Sequence, residues 1–378
     1  MRIAGKAFLI IITGAVIAGM FFFTFHALNS DEIEKEVLRY ENEIIHSFFD
    51  QPETLYPFLY RLGILNPSLL SWREATSSAP WQPRDAHGVV VYKDKIWLMG
   101  GLNANDYVIG PGRVEYGRAQ HFSDIWVSKD GINWDLVTDD APWGQRRSFQ
   151  VIVFQDKIWV IPGWGPKTGL QSNAWTSEDG INWEQAIVNG PWPQREGHQL
   201  AVFDRKLWLI GGVNYDRGKT KNDVWYSEDG INWIEAISQA PWASRWDHEV
   251  IAFKGKLWLI GGMDLRGNIY NDVWVSENGK DWLLVTDDPP WLARQGHELV
   301  VFKDKIWIVG RLNITSQGGD NNDVWFSEDG ISWQKTETDP LWSGREDHSA
   351  IVFQSRIWVL GGMTSDWRWK NDIWYSIF

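Results

Sequence analysis

The chain has 378 residues, a formal net charge of −13, 28 tryptophans and no cysteine. The lack of a basic stripe argues against a nucleic-acid partner, and the lack of cysteine excludes disulfides, thiolate metal sites and a cysteine nucleophile. With 44% apolar and 22% charged residues, the composition is that of a packed globular protein.

Residues 1–29 read as an N-terminal membrane anchor or signal peptide. From Ala7 to Leu28 the only polar side chains are Thr13, Thr24 and His26, and at about 1.5 Å per residue a helix of this length spans the roughly 30 Å hydrocarbon core. Arg2 and Lys6 precede the run, and Asp31, Glu32, Glu34 and Glu36 follow it. The positive-inside rule therefore leaves the N-terminus in the cytoplasm and puts the rest outside, periplasmic or extracellular, as a single-pass membrane protein. Phe25, two residues before Ala27, argues against cleavage. Residues 30–67 follow as a helical juxtamembrane linker, interrupted at Pro52, Pro57, Gly63 and Pro67.

From Trp81 onward a unit of about 50 residues recurs, marked by Trp81, Trp143, Trp192, Trp242, Trp291 and Trp342. An arginine stands three residues after each marker, and a histidine three residues later in all but the second unit, where Phe149 replaces it. Each unit predicts four antiparallel strands: an apolar run such as HGVVVY, a two-residue turn, KIWLMGG, SDIWVS, and INWDLV after an Asp-Gly turn. The first unit carries an insertion at 103–122.

The ordered set R-x-x-H, IW-x-x-GG, DVW and NW resembles the kelch repeat, which implies an all-β, six-bladed kelch-type β-propeller over residues 68–378. The sixth unit lacks a fourth strand, whereas Trp72 precedes Trp81 by the spacing that separates fourth-strand and marker tryptophans elsewhere. Residues 69–77 are thus expected to pair with the strand near 372–377 and close the ring, leaving no open edge.

Repetition separates scaffold from site. Most tryptophans fall in four repeating columns and read as packing between blades; Trp164, Trp246, Trp367 and Trp369 do not, and strand direction puts all four on one face. Arg147, Phe149 and Arg311 break the pattern on that face, and Glu249 and Glu298 belong to a polar ring just inside the channel mouth. Tyr107, Arg113, Glu115, Tyr116 and Arg118 on the insertion are expected to add a lid. These residues point to a noncatalytic recognition module for a glycan or protein ligand, since indole faces stack on sugars and arginine fixes carboxylates.

Two other readings stand beside it. Some six-bladed kelch proteins are exported N-acetylneuraminate epimerases, so the resemblance also implies a sugar epimerase or mutarotase, with Glu196, Glu249, Glu298 and Glu346 as acid and base candidates and no pair singled out. The third is a structural protein-interaction hub. The arginine and histidine columns read as structural, the five histidines are spread around the ring rather than convergent, and neither metal nor cofactor is expected. Copper chemistry of the galactose-oxidase kind needs a tyrosine–cysteine crosslink and is ruled out. Asn313-Ile314-Thr315 is a glycosylation sequon. Ligand identity and oligomeric state stay open.

Overall fold

The computed structural model describes residues 67–110, 113–311 and 322–377. The anchor, the linker to residue 66 and the sequon lie outside them. Among the described residues no helix is long and apolar enough to cross a membrane. Pro67–Leu69 forms one 3-10 turn, and strands arranged in six four-stranded antiparallel sheets follow.

Blade one comprises Gly88–Tyr92, Lys95–Met99, Ile125–Ser128 and Trp134–Thr138. Its first two strands meet at Lys93-Asp94, both with φ near +50°, and the same left-handed pair recurs at Gln155-Asp156, Asp204-Arg205, Lys303-Asp304 and Gln354-Ser355. Two residues with φ > 0 make the turn whose twist matches that of the flanking strands. The first strands of the blades begin at Gly88, Gln150, Gln199, Glu249, Glu298 and Ser349, and they neighbour one another around the axis, blade six against blade one.

Blade six takes its outer strand from the start of the propeller. Ser71–Thr76 runs antiparallel to Ile373–Ile377, with Trp72 opposite Ser376 and Glu74 opposite Trp374. Trp72 then meets Trp342 edge-on at 5.7 Å, the same contact that Trp134 makes with Trp81 and Trp183 with Trp143. These T-shaped indole pairs lie within blades, a refinement of the expectation that every tryptophan column packs between them. The second-strand indoles do lie between blades: Trp97 fills the space where a Cβ on Gly180 would fall, Trp159 that of Gly230, and Trp358 that of Gly131. Glycine in the Asp-Gly turn is thus demanded by the neighbouring blade as well as by its positive φ.

The core is a set of interblade clusters. Trp81, Ile96, Leu98 and Trp134 of blade one pack against Phe353, Trp358 and Leu360 of blade six, and Trp97 and Met99 of blade one against Ile158 and Val160 of blade two.

The arginine column is a buried hub within each blade. Arg195 is fully buried; its Nη1 donates to Gly211 O at 2.7 Å and to Asp223 Oδ1 at 2.6 Å, and its Nη2 to Asp223 Oδ2 at 2.6 Å. The indole N–H of Trp225 donates to the same carboxylate at 3.0 Å. Arg84–Asp124, Arg245–Asp272, Arg294–Asp323 and Arg345–Asp372 repeat the arrangement. Blade two departs: Asn173 replaces the aspartate, Arg146 reaches Asn173 Oδ1 at 3.4 Å and Gln171 Oε1 at 3.2 Å, and the Trp175 N–H has no partner among the described residues. Burial without a carboxylate lowers the Arg146 pKa to about 9.

Candidate functional site

Between the arginine and histidine columns lie two residues that the repeat leaves free: Asp85-Ala86, Arg147-Ser148, Glu196-Gly197, Trp246-Asp247, Gln295-Gly296 and Glu346-Asp347. The second residue of each pair has φ between +48° and +59°. Each of these six amides donates to the carbonyl of its counterpart in the preceding blade. Ala86 N bonds Asp347 O at 3.0 Å, Ser148 N bonds Ala86 O at 3.0 Å, and the remaining distances run to 3.2 Å, so the bonds close into a ring about the axis. Ala86 and Ser148 bear the ordinary cost of a left-handed conformation, of order 1 kcal/mol each, and the ring bonds offset it.

On one side of this ring lies a cavity of about 450 Å³ walled by Trp164, Trp246, Tyr116 and Tyr215. On the other lies the axial channel, lined by the start of every inner strand, Glu249 and Glu298 included. The insertion delivers Tyr116 to the cavity, and the loop between the second and third strands of blade three delivers Tyr215, which meets Trp246 edge-on at 5.5 Å.

Among the described residues the cavity holds six carboxyl side chains, Asp85, Glu196, Asp216, Asp247, Glu346 and Asp347, against one cation, Arg147. Arg147 Nε donates to Glu196 Oε2 at 3.2 Å, and its guanidinium lies 4.7 Å from the Trp164 ring centroid. Gln295 Nε2 donates to Glu346 Oε2 at 3.1 Å. Three further oxygens, Asp85 Oδ1, Glu196 Oε1 and Gln295 Oε1, make no hydrogen bond of good geometry among the described residues although their residues are only 4%, 2% and 6% exposed; the Trp369 indole N–H, also without a well-formed bond, is the donor that acts on Asp85.

Burial sets the titration of these groups. It lifts Asp85 and Asp247 well above the carboxylate range, and the nearby Asp347 charge adds to the effect on both. Burial and Asp347 push Glu346 up to about 8. Burial raises Asp347 itself only to about 6, because Arg147 stabilises its anion. In the channel, burial raises Glu298 to about 8, and burial together with the Glu298 charge raises Glu249, which accepts from Gln199 Nε2 at 2.5 Å.

Of the residues expected to bind from sequence, Trp164, Trp246 and Arg147 meet in the cavity, and Glu249 and Glu298 line the channel beyond the ring. The other four lie outside the cavity, Phe149 among them at the channel wall. Trp369 is 3% exposed and packs with Leu102, Ala104, Ala119 and Met363, with Trp367 against its edge, so this pair secures the insertion to blade six. Phe149 is 3% exposed and stands in for the missing histidine, its ring 2.8 Å from where a Cβ on Gly100 would fall. Arg311 is 2% exposed and donates to Ala293 O at 3.0 Å, away from the cavity walls. Shared face was the sequence criterion, and it does not distinguish a buried indole from an exposed one.

The histidine rings of blades four, five, six and one pack over the first glycine of the preceding blade's Gly pair or its equivalent, as His248 does over Gly211 and His87 over Gly361. Burial and the adjacent arginine hold His87, His198, His248, His297 and His348 far below the ordinary imidazole range. They are neutral packing groups. Among the described residues no group of His, Asp and Glu is arranged to hold a metal ion.

The sequence analysis missed Asp85, Tyr215, Asp247, Gln295 and Asp347 as site residues. For all of these but Tyr215, which sits on a blade-three loop, the signal lay in the two variable positions of R-x-x-H, which are predominantly charged or polar.

No protein-family model and no curated protein matches the sequence. Among solved structures, one titled "Structure of YjhT" is similar in fold, with a TM-score of 0.62 and 15% sequence identity over 79% of this chain and 96% of that one. The chain is a kelch-like, six-bladed β-propeller.

Proposed function

We propose that the axial cavity binds a single sugar ring and transfers protons at its anomeric centre, as a mutarotase or epimerase does. The observation that carries this reading is a recessed, indole-walled cavity that holds two adjacent buried carboxyls, Glu346 and Asp347, both raised by burial, with Asp347 raised less because Arg147 stabilises its anion. Environments that push two carboxyl pKa values apart supply an acid and a base at the same pH.

Trp164 and Trp246 stack on the apolar faces of the ring. Asp347, ionised at neutral pH, takes the proton of the anomeric hydroxyl while Glu346, still protonated, gives its proton to the ring oxygen. The bond from anomeric carbon to ring oxygen breaks and the carbonyl forms. After rotation about the adjacent C–C bond the ring hydroxyl attacks the other face and both protons return. The sequence resemblance to kelch-type epimerases points the same way. A recessed cavity suits a small molecule better than the flat surface of a protein hub. Residues 7–28, with Arg2 and Lys6 before them, would hold the propeller outside the cytoplasm.

The test is saturation-transfer and exchange NMR with a panel of monosaccharides, reading both contact and anomer exchange. Enhanced anomer exchange that disappears in Glu346→Gln supports the reading; binding without exchange reduces the site to recognition, and no contact with any sugar removes both.

A further inference from the structure

We infer that the ligand of this cavity carries a primary ammonium group, so that the preferred sugar is an amino sugar with a free amine rather than an N-acylated or carboxylated one. The inference rests on the sugar-binding reading and reverses the charge that the resemblance to N-acetylneuraminate epimerases implies.

Three observations carry it. The first is the charge inventory: among the described residues six carboxyl groups face the cavity and Arg147 is the only cation, already in contact with Glu196 at 3.2 Å. A ligand carboxylate would find no free guanidinium there and would lie near the ionised Asp347 in a desolvated site, whereas an ammonium can draw the buried carboxyls into their charged form and pair with them.

The second is the chemistry of the unmet groups. Asp85 Oδ1, Glu196 Oε1 and Gln295 Oε1 are buried, face the cavity and make no hydrogen bond of good geometry among the described residues. Gln295 Oε1, on a neutral amide, accepts at any pH, and the two carboxyl oxygens accept once ionised, a state that an incoming ammonium favours, so the demand for a donor does not come from acidity alone. They come from blades one, three and five, alternating around the axis much as the three N–H bonds of an ammonium alternate around its C–N bond. A buried acceptor left unpaired costs roughly 1–3 kcal/mol, which a donor-rich ligand relieves.

The third is the setting. Trp164, Trp246, Tyr116 and Tyr215 present electron-rich rings to the same space, a surrounding that favours ammonium ions. Below the backbone ring the axis stays acidic, with Glu249 and Glu298 and, among the described residues, no lysine or arginine lining the channel.

The test is calorimetric titration of the full-length protein at pH 7 with D-glucosamine, N-acetyl-D-glucosamine, D-glucuronate and butylamine, repeated on Asp85→Asn with its thermal midpoint checked. At least tenfold tighter binding of glucosamine than of its N-acetyl form, with that preference cut severalfold in Asp85→Asn, supports the inference. Equal or tighter binding of the N-acetyl sugar or of glucuronate overturns it while leaving a sugar site in place. Butylamine binding with no sugar bound upholds the ammonium and overturns the sugar. No binding of any probe overturns both. Should Asp85→Asn fail to fold, the ratio of glucosamine to N-acetylglucosamine affinity in the unaltered protein decides alone.

Discussion

Replacing Asp223 with asparagine in blade three tests whether the arginine–aspartate hub is the unit that holds each blade together. The substitution keeps shape and removes charge, leaving Arg195, fully buried, with amide and carbonyl acceptors only. The chain already contains the product of this change in blade two, where Arg146 faces Asn173 and its pKa falls to about 9 from 12.5. At about 1.36 kcal/mol per pKa unit, that depression corresponds to roughly 5 kcal/mol of unrelieved desolvation. The new amide side chain would retain part of the hydrogen bonding, so the expected loss is about 3 kcal/mol, in line with breaking other buried pairs. In thermal unfolding this lowers the midpoint by roughly 5–10 °C. The loss should also depend on pH. Burial works to raise the Asp223 carboxyl, but Arg195 and the Trp225 indole hold it below its ordinary value. A depressed carboxyl stabilises above its unfolded pKa, about 3.9, and that stabilisation is lost as pH falls through the folded one. The difference between variant and parent should therefore be full at pH 7 and shrink toward pH 3. A variant within about 1 kcal/mol of the parent at pH 7, or a deficit unchanged in acid, would refute the argument.

Catalysis, if it runs through Glu346 and Asp347, should show a bell-shaped pH profile of kcat/KM with limbs near 6 and 8 and a maximum near neutrality. Glu346→Gln should remove the alkaline limb and lower the rate by about 10²–10⁴-fold. Glu298, raised from 4.5 to about 8 by burial and then by the Asp347 charge, contributes stability that is full below 4.5 and lost as pH rises through 8. Glu298→Gln should thus melt with the parent at pH 5 and above it at pH 9. Removing residues 1–78 takes away the outer strand of blade six and Trp72, and should abolish cooperative melting; a cooperatively folded monomer would show that the ring does not need its closing strand.

The propeller was legible because each blade solves the same packing problem and repeats the answer. The offset of Trp72 from Trp81 placed it in the fourth-strand column, and the structure sets it beside Trp342 in the contact made by its counterparts. The partner of the arginine column was less legible. An aspartate stands two residues before the third-strand tryptophan in every blade but the second, yet nothing in the spacing says that Asp223 turns toward Arg195 rather than toward water. The site was half legible. Trp164, Trp246 and Arg147 broke a pattern and so drew notice, whereas Asp247 and Asp347 occupy positions where no pattern exists to break. Trp369 misled because departure from a repeat marks any local requirement, and holding down the insertion is one.

The hydrogen-bonded ring beneath the cavity has a property that strands and helices lack: it has no ends. Every amide in it serves as donor and every carbonyl as acceptor, in one rotational sense, so it leaves no orphan group and its peptide dipoles cancel around the circle. Because the bonds are made by backbone alone, the plate holds its shape with glycine, alanine, serine or aspartate at its corners. The fold thus supplies six adjacent stations whose directions are fixed before any side chain is chosen. A designer could rewrite the cavity's charge and size at Asp85, Glu196, Gln295 and Glu346 while the frame that aims them stays as it is.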